Sequence, residues 1–129
     1  MAKDRNANET SLKVQSVSRG ILISLGLLLS GSILIGLIIT FANFDKIVVQ
    51  RILIIFNYIS ILVGSFLTGG EVKKKGWLNG SLVGLSHMAV IFIISTFWVE
   101  NLSAVGVGGM LAIGTVTGFI GGMLGINLQ

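Results

Sequence analysis

The chain contains no cysteine, which excludes disulfides, thiol chemistry and thiolate metal sites. Proline is absent too, and there is a single histidine. Charged residues make up only 11% of the chain, whereas a soluble domain carries about 25%. That deficit excludes an ordinary soluble fold. None of the five acidic residues falls inside a long apolar run, and no GxxxxGK[ST] phosphate loop occurs. With one imidazole and no embedded carboxylate, the chain lacks the ligands for a metal site and the groups for a soluble-enzyme constellation. The sequence therefore predicts no catalytic residue, no cofactor and no metal.

What is present is apolar residue and glycine. The 129 residues are 53% hydrophobic with a mean hydropathy of +0.94, and 18 of them are glycine. Charges cluster, leaving four long uncharged stretches, the pattern of a polytopic membrane protein. Ile21 to Ala42 alone gives 22 uncharged residues, enough to cross a hydrocarbon layer of about 30 Å at 1.5 Å per residue. It exceeds the apolar run of about 7–15 residues of a cleaved signal peptide, so it reads as a retained span. The prediction is an all-α, integral membrane four-helix bundle. Residues 1–18 form a cytoplasmic tail and 19–126 a single membrane domain. Its spans lie near 20–42, 47–69, 77–98 and 103–126, with a cytoplasmic loop at 70–76.

Orientation comes from the basic residues. Lys3, Arg5, Lys13, Arg19 and Lys73 to Lys75 lie on one side, against Lys46 and Arg51 on the other. Clustered Lys/Arg stays on the cytoplasmic side, which predicts an N-in/C-in topology in the plasma membrane. The net charge of +4 is on this reading a topology signal rather than a nucleic-acid footprint. Lys73, Lys74 and Lys75 form a candidate loop for anionic lipid head groups or an acidic partner, each lysine contributing about 1 kcal/mol near an anionic leaflet. A plain topology anchor is the alternative. Trp77 and Trp98, 21 residues apart, mark the two aromatic belts.

The glycines are spaced for helix packing. Ala104, Gly108, Leu111, Thr115, Gly118, Gly122 and Gly125 follow a four-three alternation along one face of the last span. Gly76, Gly80 and Gly84 do the same in the third. In lipid, small residues that let backbones approach drive helix association. Spans three and four should be the tightest pair, with Gly80, Gly84, Gly108, Gly118 and Gly122 at the contacts.

Counting inward from the outer ends, Asn57 and His87 lie about 15–17 Å deep, near the bilayer midplane. Ser30 and Ser32 of the first span and Thr115 of the fourth reach the same depth. Ser32, Asn57, Tyr58, His87 and Thr115 form a candidate midplane polar layer. Embedded ionisable residues mark functional sites, so His87 is either a proton or ion carrier or a neutral imidazole holding helices in register. Asn57 divides the same way. Two transport families use four-helix chains of this size. Small multidrug exporters need an embedded carboxylate, which is missing. Fluoride channels carry an Asn shortly before Gly-Ser-Phe, and Asn57 and Gly64-Ser65-Phe66 stand at the wrong spacing.

The segment GGEVKKKGWLNG, Gly69 to Gly80, set between the second and third spans, resembles an uncharacterised family of small four-helix integral membrane proteins of low-GC Gram-positive bacteria. The resemblance implies the four-span fold and assigns no catalytic or binding residue. Genes of that family lie near those of protein-translocase accessory subunits, which implies a partner-binding role. The function expected is a non-enzymatic subunit or accessory partner that packs with itself or within a membrane complex. A small homo-oligomeric transporter or channel using the midplane layer is the alternative. No nucleic-acid partner is expected.

Overall fold

The computed structural model describes residues 14–42, 44–72, 74–99 and 103–128. Four helices account for nearly all of them: α1 (Val14–Phe41), α2 (Lys46–Glu71), α3 (Gly76–Thr96) and α4 (Ala104–Asn127). No strand occurs among the described residues. Each helix is long and apolar enough to cross a membrane. With no water to satisfy backbone groups in lipid, a helix is the form such a segment takes.

The helix boundaries follow local chemistry. Ser103 caps α4, its hydroxyl accepting from the Gly106 N–H at 3.2 Å. Lys75 precedes α3 in the left-handed conformation, φ 59, which turns the chain sharply after the lysine loop. α1 begins at Val14, inside the stretch read from sequence as a tail. At 28 residues it runs about 42 Å, longer than the hydrocarbon layer, so it overhangs or tilts.

α1 packs on α2 and α3, α4 packs on the same two helices, and α1 and α4 do not touch. α2 and α3 thus form the centre and the other two helices flank them. The α3–α4 contact is the most extensive. It is built on glycine, as the spacing predicts. A Cβ on Gly84 would overlap the Gly114 carbonyl oxygen and lie 3.1 Å from the Gly118 Cα; one on Gly80 would lie 2.6 Å from the Gly122 Cα. Gly118 and Gly122 are closed off reciprocally by Gly80, Gly84 and Gly76. Gly108 stands apart, because a Cβ there would meet nothing within 4 Å.

Burial is one-sided. The buried residues are Ser16 to Gly31 in α1, Ser60 to Gly69 in α2, Gly76 to Met88 in α3 and Gly114 to Gly125 in α4. Most lie in the half of the bundle next to the lysine loop; Gly31, Met88 and Gly114 sit just past the middle of their helices, Gly31 against Phe56 and Gly114 against Met88. The half next to the two turns, around residues 42–45 and 97–103, is splayed, with Phe41, Phe97, Trp98 and Val105 each more than 80% exposed.

The packed half is polar inside. Ser16, Ser24, Ser60, Ser65, Thr68, Asn79 and His87 are buried there, against only Ile61, Val72, Val83 and Met88 among the larger apolar side chains. Bulky apolar groups point outward, because hiding them gains nothing when the surroundings are lipid. Small hydroxyls fit between close backbones and return their protons to carbonyls of their own helix: Ser65 to Ile61 O at 2.6 Å, Ser60 to Phe56 O at 2.9 Å, Thr68 to Gly64 O at 2.9 Å.

Candidate functional site: a buried serine, histidine and asparagine node

Three helices meet at His87. Its ring is fully buried, with Nδ1 2.8 Å from the Ser24 hydroxyl of α1 and Nε2 3.0 Å from the Asn57 Oδ1 of α2. The amide oxygen accepts, so Nε2 carries the proton, and Nδ1 of the neutral ring accepts from the Ser24 O–H. The Ser24 oxygen also lies 2.9 Å from the Ile21 carbonyl. The Asn57 amide nitrogen turns to the Met88 sulfur at 4.0 Å, a weak acceptor. No carboxylate takes part. Both ring nitrogens are therefore satisfied with the imidazole neutral, and three helices are fixed in register.

Glycine makes this meeting possible. A Cβ on Gly64 would lie 2.7 Å from the Ser24 Cβ and 3.3 Å from its Cα. One on Gly20 would overlap the Thr68 hydroxyl and reach within 3.0 Å of Val83. Two to three turns nearer the loop, the Thr68 hydroxyl ties α1 to α2, its one proton shared between the Gly64 carbonyl at 2.9 Å and the Ser16 carbonyl at 3.2 Å.

The order hydroxyl, imidazole, amide oxygen is that of a nucleophile, a base and its orienting group. Burial decides against reading it so. Ser24 and His87 are both 0% exposed, and the close Gly64 backbone leaves no room for an acyl carbon beside the hydroxyl.

Of the five residues placed in the midplane layer by depth, the structure joins Asn57 and His87. Thr115 is half-buried and donates to its own Leu111 carbonyl at 2.7 Å. Ser32 is half-buried and outside the node. Tyr58 is half-buried, and its hydroxyl makes no hydrogen bond with a described residue. The first span supplies Ser24 rather than Ser30 or Ser32. The depth count compared backbone positions, whereas the His87 ring bridges Asn57 to Ser24, whose own backbone lies against Gly64. Gly20, against Gly64 and Val83, was the available signal: a small residue one turn before a serine.

At the lysine loop, Lys74 and Lys75 are exposed, and Lys73 lies outside the described residues. Asn79 donates to the Lys75 carbonyl at 3.1 Å, while its buried Oδ1 has no partner. Arg19 pairs with Glu71 at 3.1 Å across the same end of the bundle. Trp77 packs at a tilt on Phe119 of α4, ring centres 5.9 Å apart.

The comparisons agree with this architecture. Residues 13–125 match the family described as "Protein of unknown function (DUF3792)". The chain belongs to that family. Over 128 residues it is 25% identical to the "Uncharacterized membrane protein YrzE" of Bacillus subtilis (strain 168), covering 91% of this chain and 81% of that protein. No solved structure matches. The DUF3792 match runs through all four helices and includes Ser24, Asn57 and His87. This is a small multi-pass membrane protein.

Proposed function

We propose that the protein is a non-enzymatic subunit of an assembly in the plasma membrane, with the lysine loop and both termini in the cytoplasm. One observation carries the reading: the bundle is fully packed in one half and unpacked in the other. A monomer with no partner has no reason to leave small residues such as Gly108 and Gly26 open to lipid, since such residues favour close helix contact. Transport has less support. Within one copy, the tight meeting of Gly20, Thr68 and Val83 leaves no room for a path between the node and the loop. The loop lysines, on this orientation, rest on anionic lipid head groups.

Tagged protein extracted in mild detergent should elute above monomer size, with a fixed stoichiometry of itself or of one membrane protein identified by mass spectrometry. A monodisperse monomer that forms no cross-links in the intact membrane would overturn the subunit reading. Orientation is tested separately by single cysteines: Lys74→Cys should resist an impermeant external reagent that labels Phe44→Cys.

A further inference from the structure

We infer that the partner in the splayed half is a second copy of this chain: the free face of α1 docks into the wedge between α2 and α4 of the next molecule, and the Tyr58 hydroxyl donates to Ser30. The inference rests on the subunit reading and names its partner.

The wedge side is incomplete. Ser65 and Gly69, seven and eleven residues after Tyr58, both face α4: a Cβ on Gly121 would overlap the Ser65 hydroxyl, and one on Gly69 would lie 2.8 Å from the Gly122 Cα. Residues at these spacings share a helix face, so Tyr58 faces α4 as well. There the helices have diverged. Tyr58 is half-buried, and its hydroxyl is without a hydrogen bond among the described residues. A phenol hydroxyl left unpaired in hydrocarbon is costly, so this side calls for an acceptor. On its α3 side, α4 borders an apolar crevice lined by Met88 and Phe92 of α3 and by its own Val107, Met110 and Leu111.

The α1 side supplies that acceptor. Gly26, Ser30, Ile33 and Leu37 lie on one face, more than a third of a turn from the buried Gly20, Ser24 and Gly31. All four are exposed, and a Cβ on Gly26 would meet nothing within 4 Å. Ser30 gives its proton to Leu27 O at 3.1 Å, which leaves its oxygen free to accept. Ser30 lies 11 residues from the turn-side end of α1 and Tyr58 lies 12 from that of α2, so the two match in depth. α1 and α4 flank the bundle without touching. The contact is therefore head-to-tail and closes into a ring when the rotation allows.

The native chain has no cysteine, which makes the test direct. Ser30→Cys and Tyr58→Cys are expressed with different tags, alone and together, and oxidised in the membrane. The expected result is a disulfide dimer only in the mixture, and none when Ile94→Cys of α3 replaces either partner. Self-cross-linking of each single variant would show a symmetric contact and overturn the head-to-tail arrangement. No cross-link in the mixture, while the unmodified protein still elutes with another membrane protein, would overturn the second copy and leave the subunit reading standing. If neither cross-link nor assembly is found, both fail. As a second readout, Tyr58→Phe should weaken self-association about threefold, the effect of one average interhelical hydrogen bond in a membrane. Gly26→Leu should abolish it while leaving monomer stability unchanged, because its side chain meets nothing within one copy.

Discussion

The two halves of this bundle are made of the same four helices and use glycine in opposite ways. Next to the lysine loop, glycines 20, 64, 69, 76, 80, 84, 118, 121, 122 and 125 each back onto a neighbouring helix so closely that a methyl group would collide. Next to the turns, Gly36, Gly108 and Gly109 meet nothing within 4 Å, and Gly26, between the buried Ser24 and Gly31, is open because it lies on another face of α1. The residue type is constant, so composition alone did not decide the outcome. What differs is whether two small faces stand opposite each other. The lesson is that a small-residue stripe in a membrane helix is a capacity for contact, spent within the molecule in one half and left for another molecule in the other.

The comparison breaks most visibly at the α3–α4 seam. Gly118→Leu should destabilise the bundle by about 3 kcal/mol or fail to fold, since it forces two backbones apart where nothing flexible can yield. Thermal aggregation in detergent reads this directly, and stability equal to that of the native protein would refute the close seam. Removing the node costs less. His87→Leu should lose about 1–2 kcal/mol, because two hydrogen bonds vanish and the Asn57 Oδ1 is left unpaired, while the Ser24 proton goes to the Ile21 carbonyl. His87→Gln should retain at least half of that difference; if Gln is as damaging as Leu, the imidazole does more than hold register. A smaller effect belongs to the loop-end ion pair. Arg19 and Glu71 are 69% and 38% exposed, so Arg19→Gln should cost well under 1 kcal/mol and matter less still at high salt. The smallest is expected on the lipid surface, where Leu29→Ala should change unfolding in detergent by no more than about 0.5 kcal/mol.

Much of this was legible in the sequence. The uncharged runs gave four helices within a few residues of their bounds, except that α1 starts earlier, because Val14 to Arg19 is polar enough to read as a tail yet packs through Ser16 and Gly20. The spacing of Gly80, Gly84, Gly118 and Gly122 marked a real seam. Gly108 continues the same spacing and has no neighbour, since periodicity records a face and not the point where two helices diverge. Depth counting brought His87 and Asn57 together, as they come from helices of similar overhang. It missed Ser24 because a count of backbone depth leaves out the reach of the His87 ring, which bridges Asn57 to Ser24. The loop reading for Lys73 falls outside the described residues, so only Lys74 and Lys75 can be placed, both exposed beside the start of α3.

The two halves are told apart most directly by one pair of substitutions measured two ways. Gly84→Leu and Gly108→Leu add the same side chain to neighbouring helices of one bundle. Folded-state stability and assembly size are then followed for each in the same detergent. Gly84→Leu should collapse stability, and assembly with it. Gly108→Leu should keep the stability of the native protein and lose the higher-order species. Equal loss of stability in both, or an intact assembly with leucine at position 108, would contradict the division into a finished half and an unfinished one.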